Sequence, residues 1–260
     1  MINELSRIVR EVGNLLCEWR NSKIFEGVWN GSQYKAKADQ MAHNALSVRL
    51  RKACPTMDIV SEEDVDSYNR KRPERYWLID PIDGTASFIN GYHGFVTQIA
   101  LMSRGRPVLS VVYAPLLDAL YYAERGCGSF LNGERLHLSV TSDPKILIDN
   151  YPEPRGVAAV LYNDLHFMKY IECGSIALKI CKVADGTADV FFKDVAVRDW
   201  DIAAPQLVLE EAGGVMKDNK GKVIIYDGDC EHSGIIAAVS DDACTRVISW
   251  YANLNKRNIS

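Results

Sequence analysis

The sequence predicts an α+β fold with layered α/β/α/β/α packing and a largely antiparallel first sheet. Three observations predict it. Apolar segments at 95–102, 107–113, 120–123 and 129–131 alternate with turn residues at 103–106, 114–116 and 125–128, which is the pattern of an antiparallel meander. Helical-period stripes flank this meander at 2–19, 36–53 and 241–253 and must cover its apolar faces. Further strand-like segments interleave with helical patterns over 146–239 and supply a second sheet. With 260 residues the chain fits one domain, 1–260, of two lobes, about 1–140 and about 141–260.

Taken in order, Ile2, Leu5, Ile8, Val9, Val12, Leu15, Leu16 and Trp19 form an apolar helical stripe suited to a core or a subunit contact. Residues 20–34 are polar, contain Gly27 and Gly31, and read as a mobile loop or loose hairpin. The second helix carries Met41, Ala45, Leu46, Val48 and Leu50 as apolar points, with Asp39 near its start, where a carboxylate suits the helix dipole. A strand at 57–60 leads into Ser61-Glu62-Glu63-Asp64. Alternation in extended chain points one glutamate inward and its neighbour away. The charged run 64–75 reads as an exposed linker.

The stretch Trp77-Leu78-Ile79-Asp80-Pro81-Ile82-Asp83-Gly84-Thr85 carries the strongest chemical signal. A short buried strand at 77–79 delivers Asp80 and Asp83 into a turn marked by Pro81 and Gly84. Carboxylates this close repel, and a hard cation such as Mg²⁺ relieves the repulsion. Gly84 and Thr85 open a short helix, so their amides point at an anion on the metal. Asp, Pro and Gly also make plain β-turns, which is the competing reading.

Residues 132–173 are the least legible, with strands read at 146–149 and 157–161. Gly174-Ser175 caps a helix reaching about Ala184. A strand at 188–192 is followed by Lys193 and Asp194. Asp201 begins a helix that runs to about Ala212 and ends at Gly213-Gly214. Strands at 223–225 and 234–239 lead to the last helix.

Composition excludes several classes. Hydrophobic content of 47% and charged content of 25% are ordinary for a globular protein. A net charge of −4 gives no electrostatic case for nucleic acid or an anionic membrane as partner. No 18-residue apolar run and no signal-peptide pattern is present, so the expected location is the cytoplasm. The seven cysteines, an odd number without a C-x-x-C pair, are expected to be reduced and mostly packed. His43, His93, His137, His166 and His232 show no ligand spacing and read as structural or surface residues.

The acid pair Glu62-Glu63, the D-P-I-D-G-T of 80–85, and W-D-I-A-A of 200–204 followed by Glu211-Ala212-Gly213-Gly214 together resemble the inositol monophosphatase family. That family belongs to the Mg²⁺-dependent, Li⁺-sensitive phosphatases, with fructose-1,6-bisphosphatases and 3'(2'),5'-bisphosphate nucleotidases as relatives. The resemblance spans about 38–240. It implies the sandwich fold of that family, a metal-binding first lobe, a substrate-side second lobe, and hydrolysis of a small phosphate monoester by a metal-activated water.

Residue by residue, the resemblance implies that Glu62, Asp80, the Ile82 carbonyl, Asp83 and Asp201 hold two or three Mg²⁺, and that Asp39 and Thr85 orient the water. Gly84 and Thr85 would bind phosphate oxygens, and Gly174 and Ser175 would line the substrate. Either Lys193 or Asp194 occupies the place of a substrate-contacting glutamate. The family's N-terminal-loop lysine has no assigned counterpart; Lys23, Lys35 and Lys37 are nearest. An inositol 1-phosphate-type substrate is the default, supported by V-A-D-G-x-A-D at 183–189. Lys179, after the Gly-Ser turn, and Lys193 suit a second phosphate and so a bisphosphate nucleotidase. Lys179 otherwise reads as a solvated helix face. A catalytically silent scaffold or regulatory member is the non-enzymatic alternative, and a homodimer is left open.

Overall fold

The computed structural model describes residues 1–23, 27–30, 33–139, 143–226 and 228–257, without the side chains of 27–30, 33–36 and 257. Helix α1 (Ile2–Asn21) buries Leu5, Ile8, Val9, Val12 and Leu16, the stripe read from the sequence. Strands β1 (Gly27–Asn30) and β2 (Gln33–Ala36) form an antiparallel hairpin. The side chain of Lys35, one of the loop lysines named above, lies outside the described residues. Helix α2 (Lys37–Ala53) follows directly and buries Asp39 on its first turn.

Strand β3 (Asp58–Ser61) pairs in parallel with β4 (Arg75–Asp83). Between them lies α3 (Val65–Tyr68), within the run read as an exposed linker. That reading fails at Tyr68 and Arg72. The Tyr68 ring packs 5.0 Å from Trp200, and the Arg72 side chain is only 9% exposed. A lone strand at 77–79 was also too short: β4 runs on through Pro81. Pro81 is tolerated because β3 ends opposite Ile79, so no ladder bond is lost on that side. On the other side the register with the next strand shifts between Asp80 and Asp83.

Helix α4 (Thr85–Asn90) precedes the meander of β5 (Val96–Ser103), β6 (Arg106–Ala114), β7 (Ala119–Glu124), β8 (Gly128–Leu131) and β9 (Glu134–Arg135). Strands β3 to β9 lie in sequence order in one sheet, antiparallel after the first pair.

The second sheet departs more from expectation. Strand β10 (Ile146–Asp149) is as read, but residues 157–161 lie in helix α5 (Gly156–Asp164). A five-residue apolar run suits either state, and here Ala158 and Leu161 face the core from a helix. Strand β11 (Lys169–Glu172), half-exposed, lacked a legible pattern. Helix α6 (Ile176–Ala184), strand β12 (Val190–Lys193), the short β13 (Val197–Arg198) and helix α7 (Asp199–Ala212) follow. Next come β14 (Val215–Asp218), β15 (Glu231–His232), β16 (Ile235–Ala238) and α8 (Asp241–Arg257). Residues 223–225 form no named strand; Val223 makes a single bridge to Lys217. The sheet order is β11-β10-β12-β16-β14, parallel across the first three strands and antiparallel across the last three.

Helices α1 and α2 cover one face of the first sheet, in a core with Trp77, Ile79, Ile99 and Val111. The other face packs on α6 and α7, whose far side meets the second sheet; one apolar cluster joins Leu78 and Tyr121 to Leu207 and Phe191. Helix α8 packs outside β14 and β16. The seven cysteines are free. Among the described residues no helix is long and apolar enough to cross a membrane.

Candidate functional site

The end of β4 and the first turn of α7 bring three acids together. One carboxylate oxygen each from Asp80, Asp83 and Asp201 lies within 4.8 Å of the other two. Asp80 and Asp83 are buried and Asp201 is half-buried. The irregular end of β4 turns Asp80 Oδ1 back onto the Ile82 amide, which donates at 3.1 Å. The other oxygen, Oδ2, is buried and, among the described residues, has no hydrogen-bond partner. A carboxylate oxygen left without a donor in the interior is costly. The Arg198 amide donates to Asp201 Oδ2 at 2.7 Å, so the same carboxylate caps the start of α7. Oxygen-only ligands, mutual repulsion and an orphaned buried oxygen fit a hard divalent cation.

Asp83 is gripped by α6. Ser175 Oγ donates to Asp83 Oδ2 at 2.5 Å, the Ala177 amide donates to the same oxygen at 2.6 Å, and the Ile176 amide donates to Oδ1 at 3.3 Å. The Ser175 hydroxyl also accepts from the Leu178 amide at 2.9 Å. It is engaged on both sides, which the expectation of a substrate-lining serine missed. The contact needs bare backbone. A Cβ on Gly84, whose φ is +90°, would sit 2.8 Å from Gly94 O; one on Gly94 would sit 2.9 Å from Gly174 N. A Cβ on Gly174 would collide with Ser87 Oγ at 1.9 Å.

The remaining acids gather around Asp80. Burial lifts its carboxyl far above the usual carboxylate range, and Glu62, Asp83, Asp201 and Asp39, in that order, push it further. These are the other four acids singled out from the sequence. Thr85 Oγ1 lies 3.2 Å from Asp39 Oδ1 and 3.1 Å from Ile82 O. Glu62 follows β3, where His43 Nδ1 lies 2.8 Å from Ser61 Oγ and the Glu63 amide donates to that hydroxyl at 3.3 Å.

Burial lifts Asp83 against the Ser175 and Ala177 donors. Asp201 is pushed up to about 7 by burial and by Asp83, against the Arg198 amide and Lys193. A carboxyl raised in the folded state keeps a proton that the unfolded chain releases, so stability falls as pH rises through that window. Without metal, thermal stability should therefore drop between about pH 4 and about pH 7. Saturating Mg²⁺ should flatten this profile by taking the place of the protons. Melting curves in chelator and in Mg²⁺ at pH 5 and pH 8 check it; a metal-free protein more stable at pH 8 would contradict it.

Of the other expected residues, Lys193 ends β12 and Asp194 follows it, both half-buried, and Lys193 acts electrostatically on Asp201. Lys179 is not on a solvated face: it has no exposed surface. Its Nζ donates to Asn150 Oδ1 and, at 3.1 Å, to Cys173 O. A cleft of about 660 Å³ opens beside the glycine contact, lined by Ser87, Gly94, Asn150, Cys173 and Gly174 among others. None of the five acids lines it, so the chemistry is placed at the acids rather than in this cleft.

Sequence reasoning missed what anchors α7. Asp199, 1% exposed, accepts from Arg72 Nη2 at 3.0 Å and lies 2.8 Å from His232 Nε2. Gln98 Nε2 donates to Trp200 O at 2.8 Å. Asp199 stands beside Trp200-Asp201 in the sequence, and that adjacency was its one available signal.

Over residues 3–251 the chain matches the family described as the inositol monophosphatase family. It is 33% identical to Nus factor SuhB of Escherichia coli strain K12, covering 85% of this chain and 86% of that protein. It is 32% identical to the 3'(2'),5'-bisphosphate nucleotidase CysQ of Aggregatibacter actinomycetemcomitans, covering 74% of each. The solved structure of the Thermotoga maritima IMPase superposes with a TM-score of 0.79 at 27% identity, covering 95% of this chain and 96% of that one. The match over nearly the whole length, on a fold that carries the acid cluster between its two sheets, leaves one conclusion: the chain belongs to the inositol monophosphatase family.

Proposed function

We propose that the chain is a Mg²⁺-dependent phosphatase of small phosphate monoesters, with an inositol 1-phosphate-type substrate. The observation that carries the reading is the buried, donorless Asp80 Oδ2 inside a set of five mutually repelling acids. Glu62, Asp80, the Ile82 carbonyl, Asp83 and Asp201 would hold the metal, between a first part of about 1–140 and a second of about 141–260. Bound Mg²⁺ would supply charge neutralisation at the phosphoryl group and an activated water. The chain's own part is positioning. The Thr85 hydroxyl has two acceptors for one proton, Asp39 Oδ1 and Ile82 O. Its proton is thus committed, and its lone pairs are left to accept from the attacking water. Gly84 and Thr85 amides are the candidates for the phosphate oxygens, and Gly174 and Asp194 for the rest of the substrate.

One observation favours a second reading, a 3'(2'),5'-bisphosphate nucleotidase. Lys193 is a cation close enough to hold down the Asp201 carboxyl, which suits a second anionic group. Lys193→Glu should cost about 10- to 100-fold in kcat/KM on 3'-phosphoadenosine 5'-phosphate and spare inositol 1-phosphate, if that reading holds. Phosphate release from inositol phosphates, sugar phosphates, histidinol phosphate and adenosine bisphosphates, with Mg²⁺, with added Li⁺ and in chelator, tests both. Full turnover in chelator would sink the metal mechanism. Release from none of these esters would favour a non-catalytic role, a reading to which the name Nus factor in a relative lends weight. The expectation of no nucleic-acid partner rests on net charge alone.

A further inference from the structure

The proposed reaction leaves one buried cation without a task. Lys179 lies on α6 with no exposed surface, and burial lowers its pKa to about 8. Among the described residues its hydrogen-bond acceptors are neutral: Asn150 Oδ1, Cys173 O at 3.1 Å and Gly174 O at 3.5 Å. The ammonium also stands 4.9 Å from the centroid of the Phe191 ring. Asp149 and Asp83 favour the charge from beyond hydrogen-bond reach, yet burial outweighs them, so core stability is a poor explanation for it.

What the ammonium holds is informative. The Cys173 and Gly174 carbonyls immediately precede Ser175. The hydroxyl of Ser175 and the amides of Ile176 and Ala177 are the donors to Asp83. One short turn is therefore gripped from two sides. The cation takes its carbonyls, and the carboxylate takes the donors that follow. With both carbonyls turned toward Lys179, the next amides and the hydroxyl face β4. Asn150, at the end of β10, ties the same ammonium to the second sheet.

We propose that Lys179 is a positioning residue for the acid cluster: its ammonium fixes the 173–175 turn, and through it the orientation of Asp83. The proposal rests on the reading of Asp80, Asp83 and Asp201 as a Mg²⁺ site. It moves Lys179 from substrate recognition to the support of the metal ligands. The fit of the turn is tight, because Gly174 has no room for a Cβ against Ser87. A turn that loses its carbonyl anchor keeps only the Ser175 hydroxyl and the two amides that follow to hold it in register with Asp83.

The test is calorimetric titration of the whole protein with Mg²⁺ alone, for wild type, Lys179→Met, Ser175→Ala and the double variant, with melting curves in chelator. Lys179→Met removes a desolvated charge, so its metal-free melting point should equal or exceed that of wild type. Its Mg²⁺ affinity should fall about tenfold, the loss typical when the partner of a ligand is removed. The double variant should bind about as weakly as the weaker single variant, because both act through one turn. A merely structural lysine would lower the melting point and leave the affinity alone.

Wild-type affinity in Lys179→Met would overturn the proposal and leave the metal site standing. A wild-type protein that binds no Mg²⁺ would overturn both. Should Lys179→Met fail to fold, Asn150→Ala removes one acceptor at a half-buried position. It should weaken Mg²⁺ binding several-fold, and an unchanged affinity there would equally overturn the proposal.

Discussion

Asp80→Asn should abolish Mg²⁺ binding and phosphate release while the metal-free protein becomes more resistant to heat. Asp80 is 1% exposed, and Glu62, Asp83, Asp201 and Asp39 all act to keep its carboxyl protonated. The asparagine oxygen can still accept from the Ile82 amide, so the turn should survive. What disappears is a carboxyl that must either hold a proton or repel its neighbours, and an oxygen that among the described residues has no other partner. Loss of a partner that merely orients a ligand costs about 10- to 100-fold in metal affinity, and loss of a central ligand should exceed that. Each 1 kcal/mol of relieved repulsion should raise the melting point by about 2–4 °C in a protein of this size. Melting curves in chelator, with Mg²⁺ titration and phosphate release beside them, separate the effects. An unfolded Asp80→Asn protein would make the residue structural, and retained turnover would remove the cluster from the chemistry.

Asp199→Ala should produce the largest loss of stability. The carboxylate, 1% exposed, sits between the Arg72 guanidinium and the His232 ring. Without it Arg72 stays buried beside the Tyr76 ring, 5.6 Å away, with Nη1 already lacking a partner among the described residues. Removing one partner of a buried pair leaves an uncompensated charge, at a cost of about 3–5 kcal/mol. The melting point should drop by roughly 6–20 °C. Because Asp199 opens α7 two residues before Asp201, Mg²⁺ affinity should fall with it. Adding Arg72→Met should restore most of the stability, since an apolar replacement of both partners is often neutral. Urea denaturation of the single and double variants is the measurement. A loss below about 1 kcal/mol, the scale of an exposed pair, would show that the ion pair does not anchor the helix.

Legibility from sequence followed burial. Helices α1, α2, α6, α7 and α8 carry one-sided or long apolar patterns, and the meander carries alternating turns, so both could be read. Asp80 and Asp83 stood out because two carboxylates at the end of one apolar run have few structural uses, whereas Asp39, Glu62 and Asp201 were singled out through the family resemblance. Residues whose charge suggested solvent were misread. Arg72 looked like part of an exposed linker and Lys179 like a helix surface, yet each is buried by partners distant in the chain. Nothing in a local window announces Asp199 or Asn150 as those partners. In the second sheet, 157–161 had too few residues to separate a strand from a helix, and β11 had too little apolar surface to be seen.

The three glycines that let β4, the 94 loop and α6 meet backbone to backbone bear on ion size. Contact between main chains is nearly incompressible and leaves no rotamer to adjust. The placement of Asp83 against the 173–175 turn is therefore held near a single value rather than a range. Mg²⁺ accepts ligands at about 2.0–2.1 Å, whereas Ca²⁺ needs about 2.3–2.6 Å and more of them. A proposed metal site whose Asp83 cannot move without parting Gly84 from Ser175 should discriminate by radius. Calcium should then act on this protein as a poor fit rather than a substitute, and a single added methyl at Gly94 should loosen that discrimination from outside the coordination sphere.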